Sequence, residues 1–211
     1  MYRVPRNVHL CGKYNVKYRM RQITFDIETA NWLSDTGTNN PADLTIAIVC
    51  IHDSETGQFS SYLEHELPAL WPILERADVL IGYNSDHFDI PLLNKHYPGD
   101  LTRIKSIDLM KEVQGVVGRR LKLDVLAEGT LNDKKSDGKG GQSIIWWRNG
   151  EVDKVREYCI KDVDLTRKIF DYALKNGGLK YKELGKTHEV KLDTSKWLTP
   201  KSSAMTFTIG L

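Results

Sequence analysis

The chain has 211 residues, 40% hydrophobic and 27% charged, with a formal net charge of +2. That length suits one sizeable core, and the balance of apolar and charged residues excludes a disordered or collagen-like chain. The longest apolar stretch, IAIVCI at 46–51, is far short of the roughly 20 residues a membrane helix needs, so no signal peptide or membrane anchor is expected and the expected setting is cytoplasmic.

Residues 1–22 form a basic N-terminal arm: Arg3, Arg6, Lys13, Lys17, Arg19 and Arg21 precede the first acid, Asp26, leaving 24 basic against 28 acidic residues elsewhere. Such an arm either holds a polyanion beside an acidic body or is a solvated terminus. A strand is predicted near 23–28. Successive side chains in a strand alternate faces, so Asp26 and Glu28 of TFDIET project from one side. Strands follow near 44–52 and 58–63. Between them Asp53 and Glu55 repeat the Asp-x-Glu spacing, but in HDSETGQ, whose Ser, Thr and Gly mark a turn; that pair is given no functional weight.

A helix near 65–76 and a strand at 79–83 lead to YNSDHFD at 83–89, which ends in Asp89 and opens a helix near 88–96. A strand at 104–108 ends in Asp108, suited to capping a helix that starts at Leu109. LKLDVLAEGTL at 121–131 is helical. NDKKSDGKGGQ at 132–142 contains no apolar residue and is a loop, in which Lys134, Lys135 and Lys139 either touch substrate or are solvated. Trp146 and Trp147 follow, available for base stacking or for packing.

The pattern Val152, Val155, Cys159, Val163, Ile169, Phe170, Ala173 predicts a helix from about 152 to 175 that puts Tyr158 and Asp162 on one face. Asp164 points elsewhere. Cys11, Cys50 and Cys159 lack any C-x-x-C pattern, so neither a zinc site nor a disulfide framework is indicated, and Cys159 reads as a small core residue. Residues 179–211 change character and form a C-terminal extension of unassigned role, with EVKLD and TFTIG suggesting short strands. The whole is a mixed β-sheet flanked by helices.

FDIET, then N-x-x-x-FD as Asn84 to Asp89, then Y-x-x-x-D as Tyr158 to Asp162, resembles the DEDD (DnaQ-like) 3′-to-5′ exonuclease superfamily, in its tyrosine-bearing DEDDy branch. The wording is especially similar to proofreading domains of family B DNA polymerases and to stand-alone YprB-type predicted exonucleases. The resemblance covers about 23–175. It implies an RNase H-like α/β domain, set at 23–178, with Asp26, Glu28, Asp89 and Asp162 as metal ligands and Tyr158 as a fifth catalytic residue.

Phosphodiester hydrolysis requires that the anionic oxygens be neutralised, the nucleophile activated and the leaving group steadied. Two divalent cations about 4 Å apart do all three. An all-carboxylate set favours Mg²⁺ or Mn²⁺. The resemblance gives Asp26, Glu28 and Asp162 one metal, with Asp26 bridging to a second that Asp89 supports. Tyr158, with an ordinary pKa near 10, orients water rather than acting as a base. Thr29, Asn84 and Phe88 become substrate contacts, although Phe88 could equally fill core space and Asn84 cap the following helix. The implied substrate is the 3′ end of single-stranded nucleic acid, DNA ahead of RNA, in replication, repair or turnover. The alternatives are an RNA-trimming exonuclease and a catalytically silent nucleic-acid-binding accessory module.

Overall fold

The structure, a computed structural model, describes residues 20–133 and 141–200. Three antiparallel strands come first: β1 (Gln22–Thr29), β2 (Ile46–Asp53) and β3 (Gln58–Leu63). The turn between β2 and β3 closes with the Gly57 N–H donating to the Asp53 carbonyl, 2.7 Å, and Gly57 sits at φ 70°, a conformation glycine adopts without strain. Then β4 (Val79–Gly82) and β5 (Lys105–Asp108) add in parallel, giving one sheet of order β3-β2-β1-β4-β5. β2 is covered on both faces, which is why IAIVCI is continuously apolar where β1 alternates.

On one face, Ile23, Phe25 and Ile27 pack with Val49 and Ile51 against α1 (Leu67–Glu75) and α2 (Asp89–Asn94). On the other lies α6 (Val152–Asn176), whose 25 residues span about 37 Å. Val155, Cys159 and Val163 of α6 meet Ile48 and Cys50 of β2, and Leu165, Ile169 and Phe170 join Ile81 and Ile107 in a larger cluster. The shorter helices α3 (Leu109–Val117), α4 (Leu123–Leu131) and α5 (Gln142–Arg148) complete this layer.

α6 ends at Gly177, φ 68°, and the chain turns back as a hairpin of β6 (Gly178–Glu183) and β7 (Lys186–Lys191). Leu179, Tyr181, Val190, Leu192 and Trp197 are buried in the same cluster as α4 and α6, so residues past 178 share the domain core. Trp197 stacks on Phe170, ring centroids 5.3 Å apart. A side chain at Gly129 of α4 would collide with the backbone of Lys180 and Tyr181, and the Thr130 hydroxyl bonds both the N–H and the carbonyl of Lys180, at 2.9 and 2.8 Å. EVKLD lies largely in β7, whereas β6 was not expected; TFTIG lies outside the described residues.

The predicted elements otherwise appear within a few residues. The helix expected from 65 begins at Leu67, after a 3₁₀ turn at Glu64–Glu66, because Pro68 belongs in a first helical turn. Asp108 caps α3 as expected, accepting from Met110 N–H at 3.0 Å and Lys111 N–H at 3.3 Å. Its two oxygens also accept from Asn84 N–H (2.8 Å) and Asp86 N–H (3.2 Å), tying the loop before Asp89 to β5. Removing a buried acceptor that serves four donors costs more than one cap alone. Asp108→Ala is expected to lose about 2–4 kcal/mol in urea unfolding; a loss no larger than that of an ordinary exposed cap, about 1 kcal/mol, would refute this account.

Candidate active site

β1 pairs with β4 only from Gln22 to Thr24; beyond Thr24 the two strands part. Asp26 and Glu28 project from β1 on the face covered by α6, opposite Cys50 and Ile48 of β2. α6 brings the buried Asp162 to them, so that one oxygen each from Asp26, Glu28 and Asp162 lies within 4.8 Å of the others. This trio could hold a metal ion. Asp89, at the start of α2, comes from the opposite side: its Oδ1 accepts the Ile27 N–H at 3.1 Å, filling the backbone position β4 has vacated. It is thus placed against the β1 backbone rather than inside the trio.

Electrostatics follow from this crowding. Burial, then the charges of Glu28, Asp89 and Asp162, push the Asp26 carboxyl well above the usual carboxylate range. Burial pushes Asp89 up to about 8, against hydrogen bonds from backbone N–H groups including that of Ile27, with Glu28 and Asp108 adding repulsion. Such carboxylates stay charged only beside a cation. The donor set fits a hard divalent ion: carboxylate oxygens, with no histidine among them. The Cys159 thiol lies 3.4 Å from the Asp26 carbonyl and 3.7 Å from its Oδ2. Burial first, then Cys50 and Asp26, raises its pKa, so it remains a protonated S–H donor, in keeping with a core role.

Tyr158 precedes Asp162 by one turn, half-buried, with its ring edge-on to Trp146 (centroids 5.9 Å, 68°). Trp146 therefore packs against Tyr158. Thr29 is buried beside a register shift at the end of β1, its hydroxyl donating to the Asn31 carbonyl at 3.1 Å. Asn84 holds a left-handed backbone, φ 66°, and its side chain does not cap α2. Phe88 packs on the apolar layer under α2 and also lines a cleft of about 270 Å³ beside Glu28 and Thr29. Trp32, Leu33, Ser143 and Ile144 line the same cleft. The sequence reading passed over these four. Trp32, a large aromatic just past a strand end in a polar stretch, was the available signal. Its ring lies where a side chain at Gly141 would be, so Gly141, φ 83°, lets the chain into α5 pass.

The pairs set aside on sequence are structural. Asp53 takes a two-point hydrogen bond from Arg21 (2.6 and 3.1 Å), and Glu55 lies 3.0 Å from the same guanidinium. Asp164 pairs with Arg167 and Lys168, each at 2.7 Å. Arg21 is thereby engaged. The other five arm cations, and Lys134, Lys135 and Lys139, lie outside the described residues.

The sheet order, the two helical layers and a carboxylate cluster where β1 leaves β4 define an RNase H-like domain. A model of the RNase_H superfamily (RNase_H_2) matches residues 23–175, and the chain belongs to that superfamily. Among solved structures, it is similar to the family B DNA polymerase from the hyperthermophilic archaeon Pyrobaculum calidifontis, with a TM-score of 0.57 and 19% identity. That similarity covers 74% of this chain and 24% of the polymerase chain, and at this identity it shows a shared fold. No curated protein sequence matches. Among the described residues, no helix is long and apolar enough to cross a membrane. Superfamily membership and the acidic trio support a nuclease-type function on a nucleic-acid substrate.

The raised carboxyls fix a stability signature. With Asp89 near 8 in the folded state and carboxyls near 4 in the unfolded chain, the folded protein retains a proton between those values that the unfolded chain releases. The contribution of Asp89 to stability in EDTA is therefore fully present below about pH 4 and is lost as pH rises through about 8. Asp26→Asn, which removes a buried carboxyl that without a cation must take up a proton or bear a repelled charge, is expected to raise the EDTA melting temperature at pH 8 by about 2–8 °C, or ~1–2 kcal/mol. Millimolar Mg²⁺ or Mn²⁺ should stabilise the unsubstituted protein more than the variant; equal melting curves for the two proteins in EDTA would show that the cluster is not electrostatically strained.

Proposed function

We propose that the chain is a metal-dependent 3′-to-5′ exonuclease that releases nucleoside 5′-monophosphates from the 3′ end of single-stranded nucleic acid, DNA ahead of RNA. The observation that carries this reading is the convergence of Asp26, Glu28 and Asp162 beside a cleft lined by Trp32, Leu33 and Phe88. Carboxylates next to an aromatic-walled hollow suit a terminal nucleotide whose base is apolar-faced and whose phosphate is anionic.

Asp26, Glu28 and Asp162 would hold the divalent cations, Mg²⁺ or Mn²⁺, with Asp89 in support from the β1 backbone side. When bound, such ions neutralise phosphate charge and acidify water. The chain's own groups do the rest. The cleft seats the last nucleoside, with Phe88 and Trp32 available as apolar walls and the Thr29 backbone at its floor. Asn84, in the loop that leads to Asp89 and with its main chain fixed by Asp108, would contact the terminal nucleotide. Tyr158, steadied by Trp146, orients the attacking water through its hydroxyl. The water oxygen adds to phosphorus, the bond to the 3′-oxygen of the preceding nucleotide breaks, and that oxygen leaves with a proton.

The test is a 5′-labelled 20-mer of one sequence, as DNA and as RNA, with Mg²⁺, Mn²⁺ or EDTA. A ladder shortening from the 3′ end is expected, absent in EDTA, with the faster sugar identifying the substrate. Asp26→Asn and Asp162→Asn, folded by circular dichroism, are expected to lose at least ~10³-fold in rate. Tyr158→Phe is expected to lose ~10–100-fold in kcat with KM little changed. Uncut oligomers under every metal condition, or undiminished turnover in Asp26→Asn, would discard the assignment.

A further inference from the structure

The Arg119–Lys122 turn and the β6–β7 hairpin together carry an uneven charge. Within 119–122 and 178–191, Arg119, Arg120, Lys122, Lys180, Lys182, Lys186 and Lys191 stand against two acids, Glu183 and Glu189, the latter 3.4 Å from Lys180. All but the half-buried Lys180 are exposed. The contrast matters because the chain outside the arm is net acidic. The two segments adjoin: Arg119 bonds Glu183 at 2.6 Å, and its guanidinium lies 5.8 Å from the centre of the Tyr181 ring, on which His188 stacks at 4.8 Å. Arg120, Lys122 and Lys186 have no acidic partner among the described residues.

A hydrogen bond ties the patch to the loop that carries Asp89. The Tyr83 hydroxyl donates to the Leu121 carbonyl at 2.6 Å, fastening the Arg119–Lys122 turn to the loop that runs through Asn84 to Asp89. Lys182 reaches the Asn132 side chain at 3.4 Å, at the end of α4. Between Lys182 and Lys186 the hairpin tip is Leu184, 96% exposed and held at φ 49°, ahead of Gly185 at φ 75°. Asn, Asp or Gly is the usual choice at such a turn position. Leucine there satisfies neither the backbone nor a core, which points to an outside contact.

We infer that the Arg119–Lys122 turn and the β6–β7 hairpin form a second nucleic-acid surface, which grips the phosphodiester backbone upstream of the 3′ end seated in the cleft. The inference rests on the exonuclease reading for the direction in which the strand runs. Lys182 on one face of the hairpin and Lys186 on the other meet phosphates as the strand crosses the tip, where the Leu184 side chain lies against a sugar or base face, and Lys122 meets a third phosphate. Cations so placed give sequence-independent affinity through counterion release, and they set how steeply binding weakens with salt.

The experiment compares the full chain with its Lys122→Glu/Lys182→Glu/Lys186→Glu variant and with the same three positions changed to Gln. Binding of labelled DNA and RNA oligomers of 4 and 24 nucleotides is followed by fluorescence anisotropy in EDTA, over a range of salt. The 24-mer is expected to bind the Glu variant about 10–100-fold more weakly, with the Gln variant between. The slope of log affinity against log salt should shrink by about 2, from three lost contacts at roughly 0.7 each. The 4-mer should be held almost equally by all three. Leu184→Asn should weaken the 24-mer a few-fold with no change of slope. Hydrolysis of the p-nitrophenyl ester of thymidine 5′-phosphate, which spans only the cleft, should proceed alike in all three. Loss of ester hydrolysis in every protein with the binding difference intact would refute the exonuclease reading alone. Identical 24-mer affinities and salt slopes, with the ester still cleaved, would overturn the second surface, as would tighter binding of poly-glutamate than of the 24-mer.

Discussion

Everything at this site depends on where β1 lets go of β4. The two strands hold each other through Thr24, after which the β1 edge carries backbone groups that no strand satisfies. The Ile27 N–H is met instead by the Asp89 carboxylate, a side chain standing where a strand would have been. This substitution brings a fourth acid into the field of Asp26, Glu28 and Asp162. It also opens the end of the sheet. Ligands of open α/β sheets collect at such partings, because only there do both backbone and side chains face a space.

The cost of this crowding is absorbed by what surrounds it. Apolar layers on both faces of β2 hold the β1 backbone rigid, and Cys50 and Cys159, both fully buried, fill the space directly behind Asp26. A larger or charged neighbour there would displace the carboxylate. The thiol donates toward Asp26 without competing for a hard cation, since it stays protonated. A helix-borne acid and two strand-borne acids are thus brought together by packing that is itself ordinary. The unusual energy is local.

The residues legible in the sequence were those whose geometry is local. Strand alternation alone puts Asp26 and Glu28 on one face, and helical spacing alone puts Tyr158 above Asp162. Asp108 was legible as a cap because the capping residue adjoins its helix, yet its two further bonds, to the Asn84 and Asp86 N–H groups, need β4 and β5 side by side. Trp32, Leu33, Ser143 and Ile144 were not legible. They come from an irregular segment and from a short helix, and only the tertiary fold brings them to one cleft. The strand β6 was hidden for another reason: GLKYKE opens with glycine and carries two lysines, and its place is set by close backbone approach to Gly129 and by the burial of Leu179 and Tyr181 against distant helices.

Asp26 and the helix that completes its surroundings are far apart along the chain: 133 residues separate Asp26 from Cys159, and Asp162 lies three further on. At ribosomal rates of about 5–20 residues per second, that interval takes roughly 7–27 s. Throughout it, a growing chain already holds Asp26, Glu28 and then Asp89, but not the carboxylate that closes the trio. The acidic cluster is therefore complete only once α6 has been made and docks on the sheet. A protein that acts on nucleic acid emerges beside a messenger RNA, and this one emerges with its cluster still open.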